Sequence, residues 1–125
     1  MGTGKVTILL IEDDSFLLQM YATKLEVEGF EVVSALDGKK GLQLLNKNKP
    51  DLILLDLLMP EMNGFEVLQK IKEDQEAKDI PVIILTNLGN REDVQRCLKL
   101  GATDYLIKAH FVPAEVIKKI RQIIG

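Results

Sequence analysis

A doubly wound α/β fold, with five βα units around a parallel sheet of order 2-1-3-4-5, is what this sequence predicts, and three observations carry the prediction. Short β-rich apolar runs recur at 6–11, 30–35, 51–56, 81–86 and 103–108, with segments of helical periodicity between them. The first, third and fourth runs are apolar almost throughout, as strands covered on both faces by helices must be. Right-handed crossovers leave few arrangements of five such units, and 2-1-3-4-5 is the common one.

The elements follow in order. VTILLI (6–11) is the first strand, and Leu17, Leu18, Tyr21, Ala22 and Leu25 repeat at helical spacing until Gly29 stops the helix. FEVVSA (30–35) is the second strand. The helix after it, at 38–47, has the weakest helical signal, because Gly38 and Gly41 each cost about 1 kcal/mol relative to Ala. DLILLD (51–56) leads to a third helix capped by Asn63, and PVIILT (81–86) to a fourth capped by Asn90 and ended by Gly101. After TDYLIK (103–108), Pro113 suits the first turn of a fifth helix whose core face is Val116, Ile117, Ile120, Ile123 and Ile124.

The chain of 125 residues, 46% hydrophobic and 28% charged, suits one domain spanning 1–125 that folds without disulfide or metal staples. Its net charge of -3 gives no basic footprint for direct binding of nucleic acid or anionic lipid. Lys118, Lys119 and Arg121 form a small basic cluster, read as the solvated face of a helix. The single Cys97 has no disulfide or metal partner and lies on an apolar helix face, so it is expected in the core. No apolar stretch approaches the roughly 20 residues of a membrane span, and the start lacks a signal-peptide pattern, so a reducing cytoplasmic setting is expected. GTGK (2–5) precedes a strand instead of following one, which makes it a flexible start and not a nucleotide loop. The chain stops at Gly125, straight after the fifth helix, and both a free-standing domain and a piece of a longer protein fit that ending.

In a sheet of this order, ligands bind beyond the carboxyl ends of the strands, at the switch point between strands 1 and 3. Those ends carry Glu12, Asp13 and Asp14, then Asp56, Thr86 and Lys108. Asp56 stands alone in the greasy run LILLDLLM, where an uncompensated charge costs several kcal/mol. Crowded carboxylates repel one another and call for a cation; an all-oxygen set with room for water and phosphate suits Mg²⁺ better than Ca²⁺. Thr86 and Lys108 complete a phosphoryl site, with Asp56 able to attack and form an aspartyl phosphate. Asp14 alone is read as the cap of the first helix.

Four segments in register, IEDD (11–14), PDLILLDLLMPEMNG (50–64), PVIILT (81–86) and GATDYLIK (101–108), make the chain resemble the receiver domain of bacterial two-component response regulators over nearly its whole length. The resemblance implies that Asp56 accepts a phosphoryl group from a sensor histidine kinase or a histidine phosphotransfer protein. It implies Mg²⁺ held by the side chains of Asp13 and Asp56 and the backbone carbonyl of Leu58, with Glu12 acting through a metal-bound water. Thr86 and Lys108 would contact the phosphoryl oxygens. The Thr86 hydroxyl would move toward the phosphate and Tyr105 swing inward behind it, reshaping the face of the fourth helix, fifth strand and fifth helix. A phosphorylation-dependent homodimer through that face is an expectation carried by the resemblance alone. The chain would then be a phosphorelay switch that assists its own phosphorylation, not an enzyme turning over an external substrate.

The sequence departs from the family pattern after the lysine, where Lys108-Ala109-His110-Phe111 replaces the usual proline-containing run. Either a trans bond with an extra loop residue or a strained cis bond is expected there, the latter costing roughly 3 kcal/mol. His110 is read as incidental to the site. Leu58 and Leu88, two residues beyond Asp56 and Thr86, stand where polar or acidic groups often position water, so a long-lived phosphoryl state is expected; Asn87 narrows access further. Competing readings carry their own requirements. A flavodoxin-like FMN carrier shares this flavodoxin-like fold, but IEDD would repel its phosphate. An Asp-dependent phosphohydrolase would want an acid where Leu58 stands. A degenerate receiver, serving as a phosphorylation-independent binding module, is the alternative that the Lys108 loop keeps open.

Overall fold

The computed structural model describes residues 5–124. Five strands, β1 (Thr7–Ile11), β2 (Glu31–Ala35), β3 (Leu52–Leu55), β4 (Val82–Thr86) and β5 (Asp104–Ile107), alternate with five α-helices. These are α1 (Ser15–Val27), α2 (Gly38–Asn48), α3 (Gly64–Glu73), α4 (Arg91–Lys99) and α5 (Pro113–Ile124). The strands form one parallel sheet of order β2-β1-β3-β4-β5, as the sequence predicts. Leu9 pairs with Val33 on one side and Ile53 on the other, so β1 and β3 are neighbours and the winding reverses between them.

Successive strand residues face opposite sides of the sheet, and the core divides accordingly. Ile8, Leu10, Leu52, Leu54, Ile83 and Leu85 pack with Tyr21 and Leu25 of α1 and Val116, Ile117 and Ile120 of α5. Leu9, Ile11, Ile53, Leu55, Val82 and Ile84 pack with Leu45 of α2, Phe65, Leu68 and Ile71 of α3, and Cys97 of α4. β1, β3 and β4 are thus apolar on both faces because helices cover both. β2, an edge strand, exposes Glu31 and Ser34 and reads as mixed.

Local chemistry sets the helix ends. Asp14 caps α1, accepting from the backbone N–H of Phe16 and Leu17 at 2.9 and 3.1 Å. Asp37 caps α2, Asn90 caps α4, and Asn63 forms a reciprocal capping box with Glu66 at α3. Each such cap contributes about 1 kcal/mol. Gly29 and Gly101 end α1 and α4 with φ of 96° and 106°, the left-handed region where a Cβ is strained. Gly41 has a packing reason: a Cβ there would lie 2.5 Å from Ile11 Cδ1, so α2 rests on β1 at a distance that a larger residue could keep only by displacing the Ile11 side chain. That contact explains why a helix forms where the propensity is poor.

The expected strands overran by a residue at one or both ends. Phe30, expected at the head of β2, precedes it and is buried beneath α1 and α5. Of the cluster Lys118, Lys119 and Arg121, Lys118 and Arg121 are exposed as expected and Lys119 is half-buried; Arg121 also bonds the Glu28 carbonyl and carboxylate at 3.0 and 3.1 Å and stacks over Phe30. Gly2, Thr3 and Gly4 of the GTGK segment lie outside the described residues. Among the described residues, no helix is long and apolar enough to cross a membrane.

Candidate phosphoacceptor site

The carboxyl ends of β1, β3, β4 and β5 bring Glu12, Asp13, Asp56, Thr86 and Lys108 to one sheet edge. The backbone N–H of Asp56 donates to Ile11 at 3.1 Å and that of Glu12 to Ala35 at 3.0 Å, so the parallel ladder extends one residue past the strands and holds both acids rigidly. Glu12 is 3% and Asp56 6% exposed, whereas Asp13 is exposed. Each of the three offers a carboxylate oxygen within 4.8 Å of the others.

Lys108 enters from β5 with its ammonium between two of these acids. Nζ lies 3.1 Å from Asp56 Oδ2 and bonds Glu12 Oε1 directly. The second Asp56 oxygen, Oδ1, accepts from the Leu58 backbone N–H at 3.2 Å, and Glu12 Oε2 accepts from that of Asp14 at 3.1 Å. Burial pushes the Glu12 carboxyl up to about 7, and the Asp56 charge adds to this; the Lys108 and Asp14 hydrogen bonds pull the other way. Burial alone would lower the Lys108 ammonium, but its Glu12 hydrogen bond and the Asp56 charge raise it above its ordinary value. An all-oxygen cluster of this charge fits a hard divalent cation such as Mg²⁺, and Lys108 partly offsets the charge from within the protein.

Thr86, at the end of β4, is fully buried, and its Oγ1 accepts from the Leu88 N–H at 3.3 Å. The Leu88 carbonyl in turn accepts from the Tyr105 hydroxyl. Tyr105 is therefore turned inward, its ring against the core beneath α3 and α4. Burial raises its phenol to about 12, which keeps the hydroxyl a donor. The backbone of Leu88 thus joins Thr86 to Tyr105; no side-chain property in the sequence signals this link.

Of the two arrangements expected after Lys108, the trans bond is present: no peptide bond among the described residues is cis, and Lys108–His110 forms one 3₁₀ turn. His110 is exposed on this turn. Leu58 is 53% exposed at the mouth of the site, Asn87 is exposed, and Leu88 is half-buried.

The structure thus brings a rigid acid cluster to the switch point, with the Lys108 ammonium bonded to two of its acids and Thr86 at the end of the adjacent strand. The model of the response regulator receiver domain matches residues 8–121, and the chain belongs to that family, the regulatory domains of two-component phosphorelay signalling. It is 39% identical over 117 residues to the DNA-binding dual master transcriptional regulator RpaA of Synechocystis, covering 94% of this chain and 48% of that protein. It is 34% identical over 118 residues to the phosphate regulon transcriptional regulatory protein PhoB of Pseudomonas aeruginosa, covering 94% of this chain and 51% of that one. The chain spans about half the length of these regulators. The Vibrio cholerae chemotaxis protein CheY4 superposes with a TM-score of 0.91 at 30% identity, over 97% of this chain and all of the other.

Proposed function

We propose that this chain, as a single receiver domain over residues 1–125, is a phosphoacceptor switch in the cytoplasm, with Asp56 as the acceptor. The observation that carries the reading is Asp56 itself: a carboxylate 6% exposed, between the Lys108 ammonium and the acids Glu12 and Asp13. The donor is a phosphohistidine on a sensor kinase or histidine phosphotransfer protein. An Asp56 oxygen attacks phosphorus, the P–N bond breaks, and the imidazole nitrogen keeps the electron pair. Asp13, Asp56 and the Leu58 carbonyl would hold Mg²⁺, with Glu12 acting through one of its waters. When bound, the cation supplies charge neutralisation at the phosphoryl oxygens.

The chain's own residues do the rest. Lys108 stands where it compensates the charge of the incoming group, and the Thr86 hydroxyl keeps its proton to donate, since Oγ1 now serves only as an acceptor. Moving Thr86 toward a phosphoryl oxygen releases the Leu88 N–H, whose carbonyl anchors Tyr105. Phosphate thereby supplies contacts that one arrangement of the α4, β5 and α5 face satisfies better than another, which is a population shift. A homodimer or another effector reads that face; the domain itself does not contact nucleic acid and turns over no external substrate. Lys108 in contact with Asp56 favours this switch over a degenerate binding module.

Intact mass after incubation with a small-molecule phosphodonor, with and without Mg²⁺, tests the reading on the wild type and on Asp56→Asn. One phosphoryl adduct that needs both Mg²⁺ and Asp56 is expected. An adduct that survives Asp56→Asn, or folded wild type that takes none from either the small donor or a histidine phosphotransfer protein, refutes it.

A further inference from the structure

We infer that Glu12 is a positioning residue for Lys108: its carboxylate, pinned at one oxygen by the Asp14 N–H, holds the lysine ammonium in the site with the other. The inference rests on the phosphoacceptor reading and adds a role for Glu12 beyond any part in cation binding.

The backbone around Lys108 does little to aim it. β5 ends at Ile107, and the turn that follows has no side-chain cap. Its closing bond, Phe111 N–H to the Lys108 carbonyl, is 3.4 Å, beyond the usual range for N–H···O. Ala109 and His110 are exposed and bring no packing to bear. A lysine side chain loses about 2 kcal/mol of rotamer entropy when held in one geometry, so something must hold it.

Two carboxylates touch Nζ, and they are not equivalent. Asp56 is the group that reacts: phosphorylation turns its carboxylate into a mixed anhydride and removes the charge that attracts the ammonium. Glu12 is not consumed by the transfer. Its backbone is tied to Ala35 at 3.0 Å, Oε2 accepts from Asp14 at 3.1 Å, and Oε1 is left for Lys108. Each oxygen of a 3% exposed carboxylate thus has one assigned partner. Lys108 pivots from Asp56 to the arriving phosphoryl oxygens while Glu12 retains it.

Nitrogen-15 NMR of the lysine ammonium groups in the metal-free full chain tests this directly, with Lys108→Arg to assign the resonance. An ammonium held by a buried carboxylate exchanges slowly enough to be seen. The Lys108 signal is expected in wild type, retained in Asp56→Asn and lost in Glu12→Gln. Glu12→Asp, which keeps the charge but shortens the reach by one methylene, should weaken it and serves as the second variant if Glu12→Gln does not fold. The rate of phosphorylation by acetyl phosphate at saturating Mg²⁺ is the second arm. Glu12→Gln should slow it by about tenfold, and combining Glu12→Gln with Lys108→Ala should be no slower than Lys108→Ala alone. Multiplying effects would mean that Glu12 acts through the cation only. That result, a wild-type chain without the Lys108 signal, or a signal that survives Glu12→Gln and vanishes in Asp56→Asn, overturns the inference. Absence of any phosphoryl adduct, with the NMR pattern as expected, would overturn the phosphoacceptor reading and leave the ion pair standing.

Discussion

Replacing Gly64 with Ala should damage the protein far more than the same change at Gly41, although both glycines lie in helices. At Gly64, the first residue of α3, a Cβ would lie 2.3 Å from the carbonyl oxygen of Asp56, 2.6 Å from Leu57 Cα and 2.9 Å from Leu57 Cδ2. The two nearest atoms are backbone, and the strand end is held by the Asp56 N–H on Ile11 at 3.1 Å. Relief requires α3 to move outward and strain the Gly64 N–H bond to Leu57, now 3.0 Å. Overpacking of this kind costs about 1–3 kcal/mol and the weakened hydrogen bond about 1 kcal/mol more, against a small gain in propensity at a first-turn position. A net loss of about 2–3 kcal/mol follows. At Gly41 the clash is with the side chain of Ile11 alone, at 2.5 and 2.8 Å, and a mid-helix Ala recovers about 1 kcal/mol. Urea unfolding separates the two. With m of about 2 kcal/mol per molar, Gly64→Ala should lower the midpoint by about 1 M and Gly41→Ala by less than half of that. Phosphoryl uptake at Asp56 should fall with Gly64→Ala, because the displaced backbone carries the acceptor. Equal midpoints, or Gly41→Ala as the less stable variant, would refute backbone contact as the deciding term.

Three further outcomes are expected. Leu58→Asn with Leu88→Glu should speed loss of the phosphoryl group by about tenfold, followed by intact mass, since both side chains would then orient water at a mouth where Leu58 is 53% exposed; an unchanged rate counts against the two leucines as the cause of a long lifetime. Tyr105→Phe removes the hydrogen bond to the Leu88 carbonyl, about 1 kcal/mol or roughly 4 °C in Tm, and should leave the Asp56 adduct in place; loss of the adduct would show that Tyr105 serves the chemistry itself. Mg²⁺ should raise Tm more at a pH of about 8 than at about 5.5. The Glu12 carboxyl is held near 7 against an ordinary 4.5, so the folded metal-free chain binds a proton that the unfolded chain has released, and stability from this group falls as pH rises between those values. Deprotonated Glu12 then has the most to gain from a cation, and equal shifts at both pH values would refute that account.

Much of the molecule was legible because burial and period coincide. β1, β3 and β4 are covered on both faces, so their apolar runs needed no partner to be read, and Asp56 stood out against LILL because a charge there demands compensation. Asn63, Asn90, Gly29 and Gly101 act within a turn of their own position, and caps of that kind are visible locally. What escaped depends on contacts across the fold. Nothing near Gly41 announces that Ile11 presses on it. Nothing near Lys108 says that its ammonium bonds Glu12 as well as Asp56, and the link from Thr86 to Tyr105 runs through the backbone of Leu88, which any residue but proline could supply.

The site is also divided mechanically. Its acids hang from β1 and β3, where every residue from Ile8 to Ile11 and from Leu52 to Leu55 is buried, and the ladder continues through Glu12 and Asp56. Its cation and its aromatic hang from β5, an edge strand with only Leu106 fully buried, followed by an exposed turn. A close-packed centre cannot deform gradually, whereas a half-exposed edge has room for two arrangements. With Asp56 as the proposed acceptor, this division predicts that the acceptor stays fixed while Lys108 and Tyr105 move, so that the change would reach the surface on the side where α4 and α5 flank β5. A switch built the other way, with a mobile acid and a rigid lysine, would lose the geometry of phosphoryl transfer each time it signalled.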